Sequence, residues 1–328
     1  MKIIVDTLGA DNGEKELLEA SIDVYKEKKI QFVFVGDKEK IEPIIKEEID
    51  SNDYEIIDTL EYITNEDDPV RAIRNKKNSS MVLAFNRLND YDCDGIISCG
   101  STGALLASAT FITGRMDNVK RASLAAMIPT LKGSALLIDT GANADVKASY
   151  LREFTIMGNV FVKEVYGRQT PSVKLLNIGV ESHKGNKLAK ETYELLSKEK
   201  EIQFDGNIEA RDIFMGKADV IVTDGFSGNI ALKSAEGMAT VLMGLLKKSL
   251  GELDIDNNSL YMISKTIKKN LSTFDYKEVG GAPLLGIKKP VYKAHGNSDR
   301  RSFYNALIGL TNYVEKDVVS IIKEKLND

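Results

Sequence analysis

The feature that most constrains this chain is a repeated alternation of short, β-branched apolar runs with stretches long enough to be helices. The runs at 2–6, 31–35, 54–58, 95–98, 134–139, 173–178, 220–223 and 291–293 read as strands. The stretches at 14–28, 38–48, 148–166 and 186–198 read as helices. Strands joined by helix-length connections must cross over and run parallel, with both sheet faces covered. The expected fold is therefore a three-layer α/β/α, doubly wound, mostly parallel sheet of Rossmann-like type. No low-complexity linker or internal repeat interrupts residues 1–328, so they read as one domain. One stretch departs from the alternation: from 230 to 272 apolar positions such as Ala235, Met238, Leu242 and Leu246 recur at helical spacing, break, and resume at Leu260, Ile263 and Ile267. This predicts a protruding helical hairpin. It could pack on the sheet, pair with another copy, or rest on a membrane surface.

Composition narrows the function. A formal charge of −5 argues against a general nucleic-acid binder, which works by neutralising phosphates with Lys and Arg. With only Cys93, Cys99, His183 and His295 available, neither a disulfide framework nor a Cys/His zinc site is expected, and no metal or cofactor. The opening residues reach Asp6 too soon for a signal peptide, and no run approaches the ~18 apolar residues of a membrane span. A cytoplasmic protein is expected.

The chemistry should lie where strands end. Several runs end in small polar turns: Asp6-Thr7-Leu8-Gly9-Ala10-Asp11, Cys99-Gly100-Ser101-Thr102-Gly103, Asp139-Thr140-Gly141-Ala142-Asn143, Asn177-Ile178-Gly179, Asp224-Gly225-Phe226-Ser227-Gly228-Asn229 and Ala294-His295-Gly296-Asn297. Gathered on one sheet edge, they would make a cleft for an anion, drawing on Asp6, Asn143, Asn177, Gly228 and His295. The turn Gly100, Ser101, Thr102 and Gly103 opens into an apolar helix, whose amides could hold phosphate. It lacks the Gly-Lys-Ser/Thr of a Walker loop, and the first turn lacks the dinucleotide fingerprint. Lys184 could offer a charge to the anion or be a solvated loop lysine. Asn229 could donate to an oxyanion or merely cap a helix. His295 reads as a structural histidine before a proton shuttle. Cys99 has no histidine near it in sequence to make it a nucleophile, and a buried strand-end thiol is usually inert.

These blocks, with Pro69-Val70-Arg71-Ala72-Ile73-Arg74, Lys184-Gly185-Asn186, Gly206-Asn207-Ile208-Glu209-Ala210-Arg211-Asp212 and Gly280-Gly281-Ala282-Pro283-Leu284-Leu285-Gly286, resemble the bacterial phosphate acyltransferases of phospholipid synthesis. Those are the PlsX-type transacylases between acyl carrier protein and phosphate. The similarity runs the whole length. It departs at Thr7, Leu8 and Ala10, where the family has Ala, Met and Gly, and at Ser101, where it has Asn. The resemblance implies a fold related to phosphotransacetylases and isopropylmalate dehydrogenases, a homodimer, and catalytic roles for Lys184 and Asn229. It implies acyl transfer from acyl carrier protein to inorganic phosphate, giving acyl phosphate for a downstream membrane glycerol-3-phosphate acyltransferase. It also implies that the hairpin serves the dimer and peripheral membrane contact. The acidic carrier needs a basic surface; Arg71, Arg74, Lys76 and Lys77 form one candidate, and Lys265, Lys268 and Lys269 another. The alternatives are a phosphotransacylase for short acyl thioesters and a non-catalytic scaffold for carrier or membrane.

Overall fold

The computed structural model describes residues 1–90, 92–252, 256–271 and 280–327. Within them lies one 11-stranded sheet of order β3-β2-β1-β4-β11-β10-β5-β6-β9-β7-β8. The strands are β1 (Lys2–Asp6), β2 (Gln31–Gly36), β3 (Tyr54–Asp58), β4 (Gly95–Ser98), β5 (Ser123–Thr130), β6 (Gly133–Ile138), β7 (Ser172–Asn177), β8 (Gln203–Glu209), β9 (Val220–Val222), β10 (Gly281–Leu285) and β11 (Val291–Ala294). Helices cover both faces. On one side α1 (Glu14–Lys28), α2 (Lys38–Ile45), α6 (Ala148–Tyr166), α10 (Arg300–Glu315) and α11 (Val318–Lys325) share a core built around Phe34, Phe154, Phe161 and Tyr313, with α7 (Lys187–Leu196) packed at its edge. On the other, α3 (Pro69–Asn75), α4 (Ser80–Leu88) and α5 (Thr102–Ser108) bury Phe85, Leu88 and Leu105 against the same sheet. This is the expected three-layer α/β/α fold.

Eight expected strands form within a residue or so of their predicted limits. Three others, β5, β8 and β10, escape the sequence pattern. Ser123–Thr130 is rich in Ala, Leu and Met and holds Pro129, while Gly281–Leu285 holds Pro283. Proline lacks the N–H a central strand donates, so its presence argues against such an assignment. β8 carries Gly206 with φ 81°, where its pairing with β7 shifts register.

The two overlooked central strands decide the topology. β10 is antiparallel to both β11 and β5, and β5 is antiparallel to β6. The half-sheet β6-β9-β7-β8 therefore runs opposite to β3-β2-β1-β4-β11. The expectation that the glycine turns share one edge is corrected by this reversal. The turns after β1, β4 and β11 leave one end of their half, and those after β6, β7 and β9 leave the opposite end of theirs. One cavity is nonetheless lined by Gly9, Gly100 and His295 from the first half and by Gly141 and Asn229 from the second, so turns of the two halves meet across a central cleft.

The 230–272 stretch forms α8 (Gly225–Gly251) and α9 (Asn257–Leu271); residues 253–255 and 272 of the expected hairpin lie outside the described residues. Only Gly225 and Gly228 of α8 are buried, so the helix projects from the sheet. Met238, Val241, Leu242 and Leu245 on α8, and Tyr261 and Met262 on α9, are all more than half exposed. No helix among the described residues is long and apolar enough to cross a membrane.

Candidate active site

The cleft between the half-sheets encloses a cavity of about 730 Å³. Its polar end is lined by Gly9, Asp11, Gly100, Thr102, Lys293 and His295 from the first half and by Thr140, Gly141 and Asn229 from the second. Its other end is apolar. There Ala126 and Ile128 of β5 face Leu232, Met238, Ala239 and Leu242 of α8. A second polar recess of about 380 Å³ shares Asp11, Lys233, Glu236 and His295 with it.

Each turn is held by its own sequence. Gly9 has φ 81°, and a Cβ there would come 3.1 Å from the Gly100 Cα, so two glycine turns pack backbone to backbone. The Asp11 N–H donates to Gly296 O at 2.7 Å, tying the β1 turn to the β11 turn. In the second half, Asp139 organises its loop. Its Oδ1 accepts from the Gly141 and Ala142 amides at 3.1 and 2.9 Å, and its Oδ2 from the Asn143 amide at 2.9 Å. Helix α8 then starts where Asp224 accepts the Ser227 N–H at 2.7 Å. This leaves Asn229 exposed at the cavity wall, 3.6 Å from where a Gly141 Cβ would stand. The cap belongs to Asp224, which frees Asn229 from that role.

Several predicted residues stand elsewhere. Asn143 and Gly228 lie behind the wall. The Asn143 side chain donates to Ala122 O and Asp139 Oδ2, both at 2.7 Å. Gly228 touches Asp139 so closely that a Cβ would fall 1.9 Å from its carbonyl oxygen. Gly103 packs against Pro69 of α3, and Ser101 is the α5 N-cap without a side-chain cap bond; neither lines the cavity. The Gly100 amide is occupied, donating to Ser98 Oγ at 3.0 Å. Asp6 is 1 % exposed, beneath the cavity floor, with Oδ2 accepting from Ser98 Oγ at 2.7 Å. Its other oxygen makes no hydrogen bond of normal geometry, although the Ser80 hydroxyl and Leu8 N–H lie near enough to favour the charged form. Burial outweighs these and pushes the Asp6 carboxyl up to about 6. The Ala10 methyl packs against the core, outside the cavity.

Lys184 is exposed in the loop after β7 and does not line the cavity. Asn177 pins that loop, donating to Lys184 O at 3.2 Å and accepting the Ile178 N–H at 2.8 Å. β7 and β9 are parallel neighbours, so the loop leaves the same sheet end as α8 and Asn229. His295 does line the cavity, and burial lowers its pKa. Cys99 does too, but burial raises its thiol to about 12, which disqualifies it as a nucleophile near neutral pH. Arg71, Arg74 and Lys77 are exposed beside α3, whereas Lys76 is engaged by Asp67 at 2.7 Å. Lys265 is exposed on α9; the side chains of Lys268 and Lys269 lie outside the described residues.

Sequence reading missed the cavity's own cations. Lys293 lies near the end of β11 and Lys233 about two turns into α8, where nothing local distinguishes them from surface lysines. Lys233 is neutralised by Glu236 at 2.7 Å. Lys293 has no carboxylate within ion-pairing distance among the described residues. Its Nζ donates to the carbonyls of Cys99, at 3.2 Å, and Ala294.

Comparison with known proteins settles the family. The model of the family described as "Fatty acid synthesis protein" matches residues 1–321. The phosphate acyltransferase of Finegoldia magna is 44 % identical over 328 residues, covering all of both chains. That of Clostridioides difficile is 43 % identical over 309 residues, covering 94 % of this chain and 91 % of its own. The chain belongs to the phosphate acyltransferase family. It is an acyltransferase. Among solved structures, a phosphotransacetylase from Streptococcus pyogenes superimposes with a TM-score of 0.62 at 17 % identity, over 96 % of this chain and 94 % of that one. At such identity the likeness speaks for the fold alone.

Proposed function

We propose that this protein transfers a fatty acyl group from acyl carrier protein to inorganic phosphate, giving acyl phosphate for phospholipid synthesis. The observation that carries the reading is the cavity's two ends. A polar end of glycine turns, Asn229 and Lys293 adjoins an apolar trough between β5 and α8. The first suits phosphate and a reacting carbonyl. The second suits an alkyl chain, whose burial contributes about 0.8 kcal/mol per methylene. A short acyl group would leave the trough unused, which disfavours the short-chain phosphotransacylase.

The chemistry is a direct displacement. A phosphate oxygen attacks the thioester carbonyl while the Asn229 amide donates to the oxygen on which charge develops. The C–S bond breaks, and the proton of hydrogen phosphate ends on the departing thiol. The reaction therefore needs no external base, and holding two reactants together supplies much of the acceleration. Lys184, implied by family resemblance to be catalytic, stands outside the cavity on the Asn177-pinned loop, so the displacement is written without it.

The carrier docks at Arg71, Arg74 and Lys77. These flank the polar end, because Pro69 of α3 packs on Gly103 of α5 and Asn65 lines the cavity. The exposed apolar side chains of α8 and α9 support a homodimer and peripheral contact with the membrane, where a glycerol-3-phosphate acyltransferase would receive the product.

The test is acyl phosphate formation, trapped as the hydroxamate, from palmitoyl-acyl carrier protein with and without phosphate. Phosphate-dependent product with little activity on acetyl-CoA supports the reading. Preference for acetyl-CoA would install the short-chain alternative, and carrier binding without product would install the scaffold.

A further inference from the structure

Lys293 occupies a position that neither strand packing nor surface solvation explains. Strand alternation sends Tyr292 into the core under α10 and places Lys293 with Val291 on the opposite face, the one covered by α4 and α5. On that face the register aligns Asp6 of β1, Ser98 of β4, Lys293 of β11 and Ala282 of β10 in one row. The row forms the floor of the polar end. Ser98 bridges the Asp6 carboxyl and the Gly100 amide, so those groups are committed to each other. The Lys293 ammonium has three donors, two of them on the Cys99 and Ala294 carbonyls, and it lines the cavity.

A half-buried cation with only neutral carbonyls for partners is costly unless an anion completes it. Asp6 and Asp11 favour its charged form at a distance, and burial opposes it, lowering the pKa. The other cavity lysine, Lys233, already has its carboxylate in Glu236.

We propose that Lys293 binds the acceptor phosphate: its ammonium, fixed by the Cys99 and Ala294 carbonyls, contacts the attacking dianion at the polar end of the cavity. This rests on the acyl-to-phosphate reading above. Lys293 takes no part in the proton transfer. One phosphate oxygen forms the new C–O bond, the C–S bond breaks, and the phosphate's own proton passes to the thiol, so Lys293 acts by charge and position.

The experiment is steady-state kinetics on Lys293→Met, varying phosphate and acyl carrier substrate separately, beside a thermal-shift titration with inorganic phosphate. Methionine keeps the stem and removes a half-buried charge, so the fold should survive; Lys293→Gln replaces it should the Met variant be insoluble. The expected result is a phosphate KM raised by at least about 10-fold, kcat/KM for phosphate lowered roughly 100-fold, and an acyl-donor KM changed by less than about twofold. Phosphate should also raise the melting temperature of wild type and not of the variant. A phosphate KM within about twofold of wild type, or a loss confined to kcat, overturns the assignment. Failure of wild type to form phosphate-dependent product would instead overturn the reading beneath it.

Discussion

Replacing Asp6 with Asn tests the buried row under the cavity without relying on catalysis. The carboxyl is 1 % exposed, and burial raises it from 3.8 to about 6. The folded protein thus binds this proton more tightly than the unfolded chain. Stability from the group is complete at acid pH and is lost as pH rises through about 6. Asparagine does not titrate, so the difference between variant and wild type isolates Asp6. Integrated from pH 4 to 7.5, the shift amounts to about 2.5 kcal/mol. For a chain of 328 residues that corresponds to roughly 3–4 °C in melting temperature. The assay is thermal unfolding of both proteins by circular dichroism at constant ionic strength, in buffers free of phosphate. The melting temperature of Asp6→Asn relative to wild type should climb by that amount across the range. A flat difference would refute the perturbed carboxyl. A fall would show that attraction to Lys293 overrides burial.

Other predictions concern the cavity. Asn229→Ala should lower kcat by about 100- to 1000-fold with little change in acyl-donor KM, as loss of an oxyanion donor does; an equal change in KM alone would remove Asn229 from the transition state. Ala126→Phe fills the trough beside Leu242, and should lower kcat/KM for a 16-carbon acyl donor at least about 10-fold more than for an 8-carbon one, since several methylenes lose their burial; equal losses would place the chain elsewhere. Gly228→Ala should destabilise the fold by about 3 kcal/mol or more in denaturant unfolding, because the Cβ would stand 1.9 Å from the Asp139 oxygen; a neutral result would mean that α8 shifts freely on its base.

Much of the architecture is legible without coordinates. Runs such as Ile3-Ile4-Val5 and Ile96-Ile97 declare strands because they must be buried on both faces, and residues 14–28 and 148–166 declare helices at the limits observed. The site is only half legible. Gly100, Thr102, Asn229 and His295 meet in the cavity as their turns suggest. Asn143, Asn177, Gly103 and Gly228 carry the same kind of signal but serve the turns themselves, by hydrogen bonds and close approaches that local sequence does not distinguish from ligand binding.

The chain by itself determined its alternating elements, its glycine turns and its kinship, since these depend on local periodicity and on residue types at fixed spacing. Tertiary structure alone decided that the half-sheets run oppositely. That reversal comes from pairing β10, the near neighbour of β11 in the chain, with β5, which lies far earlier in sequence; β10 and β5 both carry proline and little β signal. Only with that pairing in place does Lys293 become a half-buried cation facing a cleft, because the environment of a lysine is set by what packs around it and not by its neighbours in the chain.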